Sequence, residues 1–188
     1  MALQRDSDII ETPIDSVSVY DGSFLKVRRD TVRLPNGHQG TREYIVHPGA
    51  VVVIALFDDD YVVMVRQYRY PVQRVIVEFP AGKLDPGETP LACAQRELLE
   101  ETGYTAGRWT AAGEMHLAVG YSDEIIHIYF ATELTAGESS PDEDEFLNVE
   151  VMAVERVIEA CRDGGITDAK SLSCALWLQN VRDGKWLV

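Results

Sequence analysis

Residues Ala81–Tyr104, "AGKLDPGETPLACAQRELLEETGY", decide how this chain is read. The middle of the stretch is a helix with well-marked ends. Thr89 is a good N-cap, Pro90 suits the first helical position and Gly103 suits the stop, so the pattern predicts a helix over Pro90–Thr102. At 3.6 residues per turn Leu91, Leu98 and Leu99 fall on one side, and Glu97, Glu100 and Glu101 share an arc of about 100° beside them. A helix C-terminus disfavours an anion by about 0.3–1 kcal/mol, and like charges three or four apart add a few tenths each. Arg96, four residues before Glu100, offsets part of this, but one cation does not balance three anions. Two readings compete. One is a solvated acidic face, with Glu chosen for its helix propensity. The other is a divalent-cation site, where hard oxygen ligands turn repulsion into coordination. The preceding loop favours the second. Gly82 and Gly87 open its backbone to unusual conformations, which lets it aim a carbonyl, such as that of Ala81, at the same ion.

Strand-like segments surround this element. Residues 17–46 are strand-like, rich in β-branched and apolar residues, around "PNGHQG", whose Asn-Gly pair is a hairpin turn signal. The continuous apolar run Ala50–Phe57 suits a strand buried on both faces. After an Asp58–Asp60 turn come "YVVMVRQYRY" and "VIVEF". Beyond the helix, "WTAAGEMHLA" is mixed, while "EIIHIYFATEL" and "FLNVEVMAV" read as strands on either side of an acidic loop. Two helices close the chain: "ERVIEACRDG", stopped by Gly164-Gly165, and "TDAKSLSCALWLQNVRDG", with Thr167 as N-cap. Residues 1–16 read as polar and loosely ordered. Mixed strands with a few helices, and no strict alternation, predict an α/β fold in which helices sandwich a mixed sheet. The N-terminal hairpin reads as a separate lobe.

Composition narrows the function classes. A length of 188 residues suits about one domain, which typically has roughly 100–200. The net charge is −14, with no basic patch or stripe, which argues against a nucleic-acid partner. No run approaches the ~20 apolar residues of a membrane span, and the N-terminus carries no secretory pattern. Cys93, Cys161 and Cys174 are scattered, with no metal-ligand spacing, and suit a reducing compartment, so a cytoplasmic location is expected. An acidic protein that handles an anionic substrate needs local positive charge or a metal.

The residues Gly82, Glu88, Arg96-Glu97-Leu98, Glu100-Glu101 and Gly103-Tyr104, at their spacings, resemble the Nudix box, G-x5-E-x7-R-E-U-x-E-E-x-G-U with U apolar or aromatic. The resemblance implies a Nudix α/β/α sandwich on a mixed sheet. In it the box forms a loop–helix–loop that binds Mg2+, with Mn2+ as a substitute. The implied reaction is attack of water on a phosphorus of a nucleoside diphosphate linked to another group. Carried onto this chain, Glu97 and Glu101 are the main metal ligands, Glu100 is a third, and Ala81 lends its carbonyl. Glu88 and Arg96 orient the helix.

The segments "TREYIVHPGAVVVIAL", "VRQYR", "EFPAGK", "GYSDE" and "DEDEF…ITDAK" extend the resemblance to the ADP-ribose pyrophosphatase branch. That branch implies a homodimer with exchanged N-terminal strands. Residues 1–47 then form an antiparallel β lobe for dimerisation and substrate contacts, and 48–188 the catalytic domain.

Phosphorus substitution needs neutralised oxygens, an oriented water and a base. The acidic loop Glu138–Glu145 is the natural source of the base, and the resemblance to the branch, which places a catalytic Glu in a loop directly before a strand, implies Glu145 first and Glu143 second. A loop base is compatible with closure over substrate. Arg69 in "VRQYRY" and Arg42 in "TREY" match phosphate- and substrate-contacting positions of the branch, and planar guanidinium groups suit phosphate oxygens. Glu124 in "GYSDE" is a further substrate contact. Many ADP-ribose hydrolases carry a proline where Val119 stands here, which leaves GDP- and UDP-sugars open as substrates. The rival from another class is a nucleotide-sensing Nudix domain that does not cleave. The complete carboxylate set argues against that rival. Dinucleoside polyphosphates and coenzyme A derivatives have no added motif here.

Overall fold

The computed structural model describes residues 6–58, 60–140 and 146–187. The described residues pack as two units, Met1–His47 with Ala118–Glu124, and Pro48–Leu117 with Ile125–Val188.

The first unit is an antiparallel sheet of β1 (Thr12–Asp21), β2 (Lys26–Arg33) and β3 (Gln39–Val46), in that order. Asn36-Gly37 makes the expected turn between β2 and β3, with Gly37 at φ +86°, in the left-handed region open to glycine. The Asn36 side chain there accepts from the His38 N–H at 3.0 Å. Residues 12–16 are in β1, not loosely ordered. Their backbone pairs with Arg33–Asp30, a gain that polar side chains do not advertise. The loop Ala118–Glu124 joins this unit at the end of β3. Ile45 N–H donates to the Tyr121 carbonyl at 2.9 Å, and the Asp123 carboxylate accepts from the His47 N–H at 2.8 Å.

The second unit holds two sheets. One has the order β7 (Ala81–Lys83), β4 (Ala50–Ala55), β9 (Ile126–Ala136), β8 (Tyr104–Met115); β4 and β9 run parallel and the other pairs antiparallel. The other places β5 (Tyr61–Arg69) between β10 (Leu147–Ala153) and β6 (Arg74–Glu78), all antiparallel. The helices are α1 (Pro90–Thr102), α2 (Val154–Asp163) and α3 (Ala169–Arg182).

Strand β4 shows why this is a sandwich. All six of its residues are buried. Val52 and Ile54 join Val62 and Met64 of β5, Val154 and Val157 of α2, and Cys174 and Leu178 of α3 in one core. Val51, Val53 and Ala55 point the other way, into a second core with Cys93, Ala94 and Leu98 of α1. A strand alternates its side chains between faces, so an unbroken apolar run needs cover on both. Each such aliphatic side chain contributes about 1.5–3 kcal/mol on burial. The expected α/β sandwich on a mixed sheet is what forms.

Three local expectations shift. The helix α1 buries Cys93, Ala94, Leu98, Glu101 and Thr102, while Leu91 and Leu99 stay partly exposed on its flanks. The small residues allow close approach to the sheet, so the buried stripe is rotated away from the leucines. Strand β8 runs through the mixed stretch "WTAAGEM" because its full-length antiparallel partner β9 supplies the hydrogen bonds. The N-cap of α3 is Asp168, whose carboxylate accepts from the Ser171 N–H at 3.0 Å. Thr167 is engaged elsewhere, its hydroxyl accepting from Arg74 Nη2 at 2.9 Å. Among the described residues no helix is long and apolar enough to cross a membrane.

Candidate active site

Helix α1 is held at both ends as its sequence requires. The Thr89 hydroxyl accepts from the Ala92 N–H at 3.3 Å, and Gly103, at φ +75°, donates its N–H to the Leu99 carbonyl at 2.8 Å. The loop before it is tied to its side. Arg96 is the tie: Nε and Nη2 both donate to the Glu88 carboxylate at 2.9 Å, and Nη2 also to the Lys83 carbonyl at 3.1 Å. Glu88 in turn accepts from the Asp85 N–H at 3.0 Å. Arg96 thereby lowers the Glu88 carboxyl to about 2, with the Asp85 N–H contributing, against the opposing effect of burial.

The same arginine reaches the candidate metal ligands. Its Nη1 donates to Glu97 at 2.8 Å and to Glu100 at 3.0 Å. Glu101 is almost wholly buried, at 2% exposure, and accepts from the Ala81 N–H at 3.1 Å. Strand β7 brings Ala81 and Gly82 against these groups. A Cβ on Gly82 would lie 1.8 Å from the Glu97 carboxyl carbon, so the Glu97 carboxylate occupies the space a side chain at position 82 would take. Ala81, Glu97, Glu100 and Glu101 are thus assembled by β7 and α1.

The donor set fits a hard divalent cation: carboxylates on one helix end, a backbone strand pressed against them, and a guanidinium standing among two of them as the counter-charge. Among the described residues no three His, Cys, Asp or Glu side chains converge into a ready cage, because Arg96 draws Glu97 and Glu100 to itself while Glu101 turns to Ala81.

Arg69, at the end of β5, donates through Nε and Nη2 to the two oxygens of Glu78 at 2.8 Å each. That pairing raises the pKa of Arg69. Glu78 is 2% exposed and also accepts from Lys170 Nζ. Burial pushes the Glu78 carboxyl up, but the Arg69 hydrogen bonds and the charge of Lys170 outweigh it and leave it at about 2. Lys170 donates as well to Asp168 at 2.9 Å, and the Ser171 hydroxyl both donates to Asp168 at 2.8 Å and accepts from the Phe79 N–H at 3.1 Å. Sequence reasoning missed this network. Its signals were a Glu closing the apolar run "VIVEF" and a Lys opening an apolar helix.

The remaining sequence candidates fall elsewhere. Arg42 lies on β3 in the first unit, with Nε donating to Glu11 at 2.9 Å and Nη2 to the second oxygen of that carboxylate. Glu124, also in that unit, is 3.5 Å from His47 Nε2. Val119 is 80% exposed in the same loop. Glu143 and Glu145 lie outside the described residues. The described start of their loop is docked on α1: Gly137 N–H donates to the Gly103 carbonyl at 2.7 Å, and Ser140 N–H to the Glu100 carbonyl at 3.1 Å.

Residues 46–172 match the NUDIX domain, and residues 11–45 match the nucleoside diphosphate sugar hydrolase N-terminal domain. The chain is 40% identical over 171 residues to the ADP-ribose pyrophosphatase of Bacillus subtilis, covering 90% of this chain and 92% of the relative. It is 39% identical over 171 residues to the methanol dehydrogenase activator of Bacillus methanolicus, with the same coverage. The crystal structure of an ADP compounds hydrolase superposes with a TM-score of 0.81 at 24% identity, covering 99% of this chain and all of that one.

Proposed function

The chain belongs to the Nudix hydrolase family, and from that membership we propose that water splits ADP-ribose on it into AMP and ribose 5-phosphate, with Mg2+ as the metal. Hydrolysis of a nucleoside diphosphate sugar is the activity that the two domain matches and the relatives support. The finer statement, ADP-ribose, is supported by the relative named for it, which aligns over nine-tenths of both chains. The observation that supports the site is that β7 lies directly on α1: the Ala81 N–H donates to Glu101, and the end of the Glu97 side chain fills the space beside Gly82.

Glu97, Glu101, Glu100 and the Ala81 carbonyl would hold a divalent cation, which when bound would neutralise phosphate oxygens and lower the pKa of the attacking water. Arg69 takes phosphate oxygens with the guanidinium edge that Glu78 leaves outward. Glu145, with Glu143 as the second choice, takes the proton from the water, and the described root of its loop on Glu100 and Gly103 favours a base delivered to this end of α1. Arg42 and Glu124 contact the substrate from the first unit, residues 1–47 being the lobe for dimerisation and substrate contacts and 48–188 the catalytic domain. Arg42 has then to exchange part of its grip on Glu11 for substrate. All ten residues of β1 are exposed in the single chain, which supports a homodimer with exchanged N-terminal strands. The three cysteines are free, in keeping with a cytoplasmic setting.

A turnover panel of ADP-ribose, GDP-mannose, UDP-glucose and NADH with Mg2+, products resolved by chromatography, tests the substrate. ADP-ribose is expected to exceed the others at least about tenfold in kcat/KM. A GDP- or UDP-sugar in first place would overturn the ADP-ribose assignment. Binding of all four without cleavage would make the domain a sensor.

A further inference from the structure

Behind Arg69 lies a buried charge cluster that the hydrolysis itself does not call for. Glu78 ends β6, and Asp168 and Lys170 open α3. Lys170 is 8% exposed, and its ammonium bridges Glu78 and Asp168. Stability is a weak reason for such a cluster, because a buried ion pair replaced by apolar side chains is often neutral or stabilising. Its connection to the surface is more telling. Arg69 keeps 42% of its side chain exposed while Glu78 clamps Nε and Nη2. Among the described residues Nη1 of Arg69 has no hydrogen-bond partner, so the clamp leaves that edge for something outside.

We propose that Lys170 is a positioning residue for anion binding at Arg69. Glu78 is needed to hold the guanidinium in one orientation, yet alone with Asp168 it sets two negative charges against one positive. Lys170 brings the cluster of Glu78, Asp168, Lys170 and Arg69 to neutrality and fixes the Glu78 carboxylate through Oε2, the oxygen that also accepts from Arg69 Nη2. The outward edge of Arg69 then meets a diphosphate with the charges of Glu78 and Asp168 balanced, and Glu101 is left as the further carboxylate that acts on it. The proposal rests on the reading of Arg69 as a phosphate contact, and it assigns to α3 a part in substrate affinity.

The test compares wild type with Lys170→Met, Lys170→Arg and the double variant Asp168→Asn/Lys170→Met. KM and kcat are measured for ADP-ribose. Inorganic pyrophosphate is titrated calorimetrically without divalent metal, and thermal midpoints are recorded alongside. For Lys170→Met, KM rises about tenfold or more while kcat stays within about threefold, and pyrophosphate binding weakens by a similar factor. Lys170→Arg keeps both near wild type. The double variant, again neutral and with Asn still able to cap α3, recovers most of the lost affinity. If Lys170→Met does not fold, Lys170→Gln carries the same expectation. A lowered thermal midpoint with KM and pyrophosphate affinity within twofold of wild type would overturn the proposal, as would a double variant no better than the single one. Wild type that binds no pyrophosphate overturns it too. Wild type that binds pyrophosphate but leaves ADP-ribose intact refutes the substrate assignment alone, and the titrations still decide the role of Lys170.

Discussion

Replacing Gly82 by Ala separates the site from the fold. The added Cβ lies 1.8 Å from both the Glu97 carboxyl carbon and its Oε1. Carbon contacts settle at about 3.5–4.0 Å, so the carboxylate or the strand has to yield by roughly 1.5–2 Å. Glu97 is the softer partner, and it moves out of the position that β7 gives it. A misplacement of about 1 Å is enough to cost about 100-fold in rate, so kcat should fall by about 100-fold or more. Stability should behave otherwise. Gly82 has an ordinary backbone conformation within β7, and a Gly→Ala change at a compatible site stabilises by about 0.4–1 kcal/mol through the unfolded chain. The thermal midpoint should stay within a few degrees of wild type. The assay is steady-state hydrolysis of ADP-ribose over a Mg2+ titration, with a circular dichroism melt on the same samples. Activity within about threefold of wild type would show that Glu97 does not have to stand where β7 presses on it, and would remove Glu97 from the ligand set.

Glu101→Gln keeps an acceptor for the Ala81 N–H but loses the charge, so turnover should fall by more than about 100-fold with the circular dichroism spectrum unchanged; a near-normal rate would remove the metal assignment. Glu145→Gln should lower kcat by about 10²–10⁴-fold with substrate affinity kept, as expected for loss of a general base, and an unchanged rate would move that role to Glu143. Acid stability follows from Glu78 and Glu88, both depressed from 4.5 to about 2. Between those pH values the unfolded chain holds the protons and the folded one does not, so stability is full above about pH 5 and is lost as pH falls toward 2. Glu88→Gln should flatten that slope in melts run from pH 6 to pH 2.5, and an unaltered slope would refute the Arg96 clamp as its cause.

The fold was legible where one physical signal sufficed. The run from Ala50 to Ala55 announced a strand covered on both faces, and Thr89, Pro90 and Gly103 set the ends of α1. The carboxylate cluster was legible because fixed spacing on a helix is geometry. Other features depend on partners distant in sequence. The buried stripe of α1 runs through Cys93 and Ala94, not Leu91 and Leu99, because the sheet sets how near the helix can come. Strand β8 exists through its pairing with β9 across a register shift near Gly113, which no window around "WTAAGEM" contains. The choice of Asp168 over Thr167 as N-cap depends on Arg74, some ninety residues earlier, claiming the threonine. The Glu78–Lys170 pair was the least legible, since each residue looks ordinary in its own segment and the pairing is made only by tertiary packing.

The charge gathered at the C-terminal end of α1 divides into two tasks. Arg96 serves the fold with one side of its guanidinium, locking Glu88 and the Lys83 carbonyl, and restrains Glu97 and Glu100 with the nitrogen that remains. A single Nη1 shared by Glu97 and Glu100 contrasts with the paired fork on Glu88, so the guanidinium's firmer grip is on the loop. Glu101 differs again: it is buried, and a buried carboxylate costs several kcal/mol unless charge or hydrogen bonds compensate it. The Ala81 N–H supplies part, and the charge of Arg69 acts on Glu101 in the same favourable sense. The carboxylates are therefore coupled to two arginines, Arg96 tied to the loop and Arg69 tied to Glu78. Arg69, Arg96 and Lys170 face six carboxylates, Glu78, Glu88, Glu97, Glu100, Glu101 and Asp168, so in a chain of net charge −14 the site itself stays acidic, and the positive charge a diphosphate needs would have to come from a bound cation.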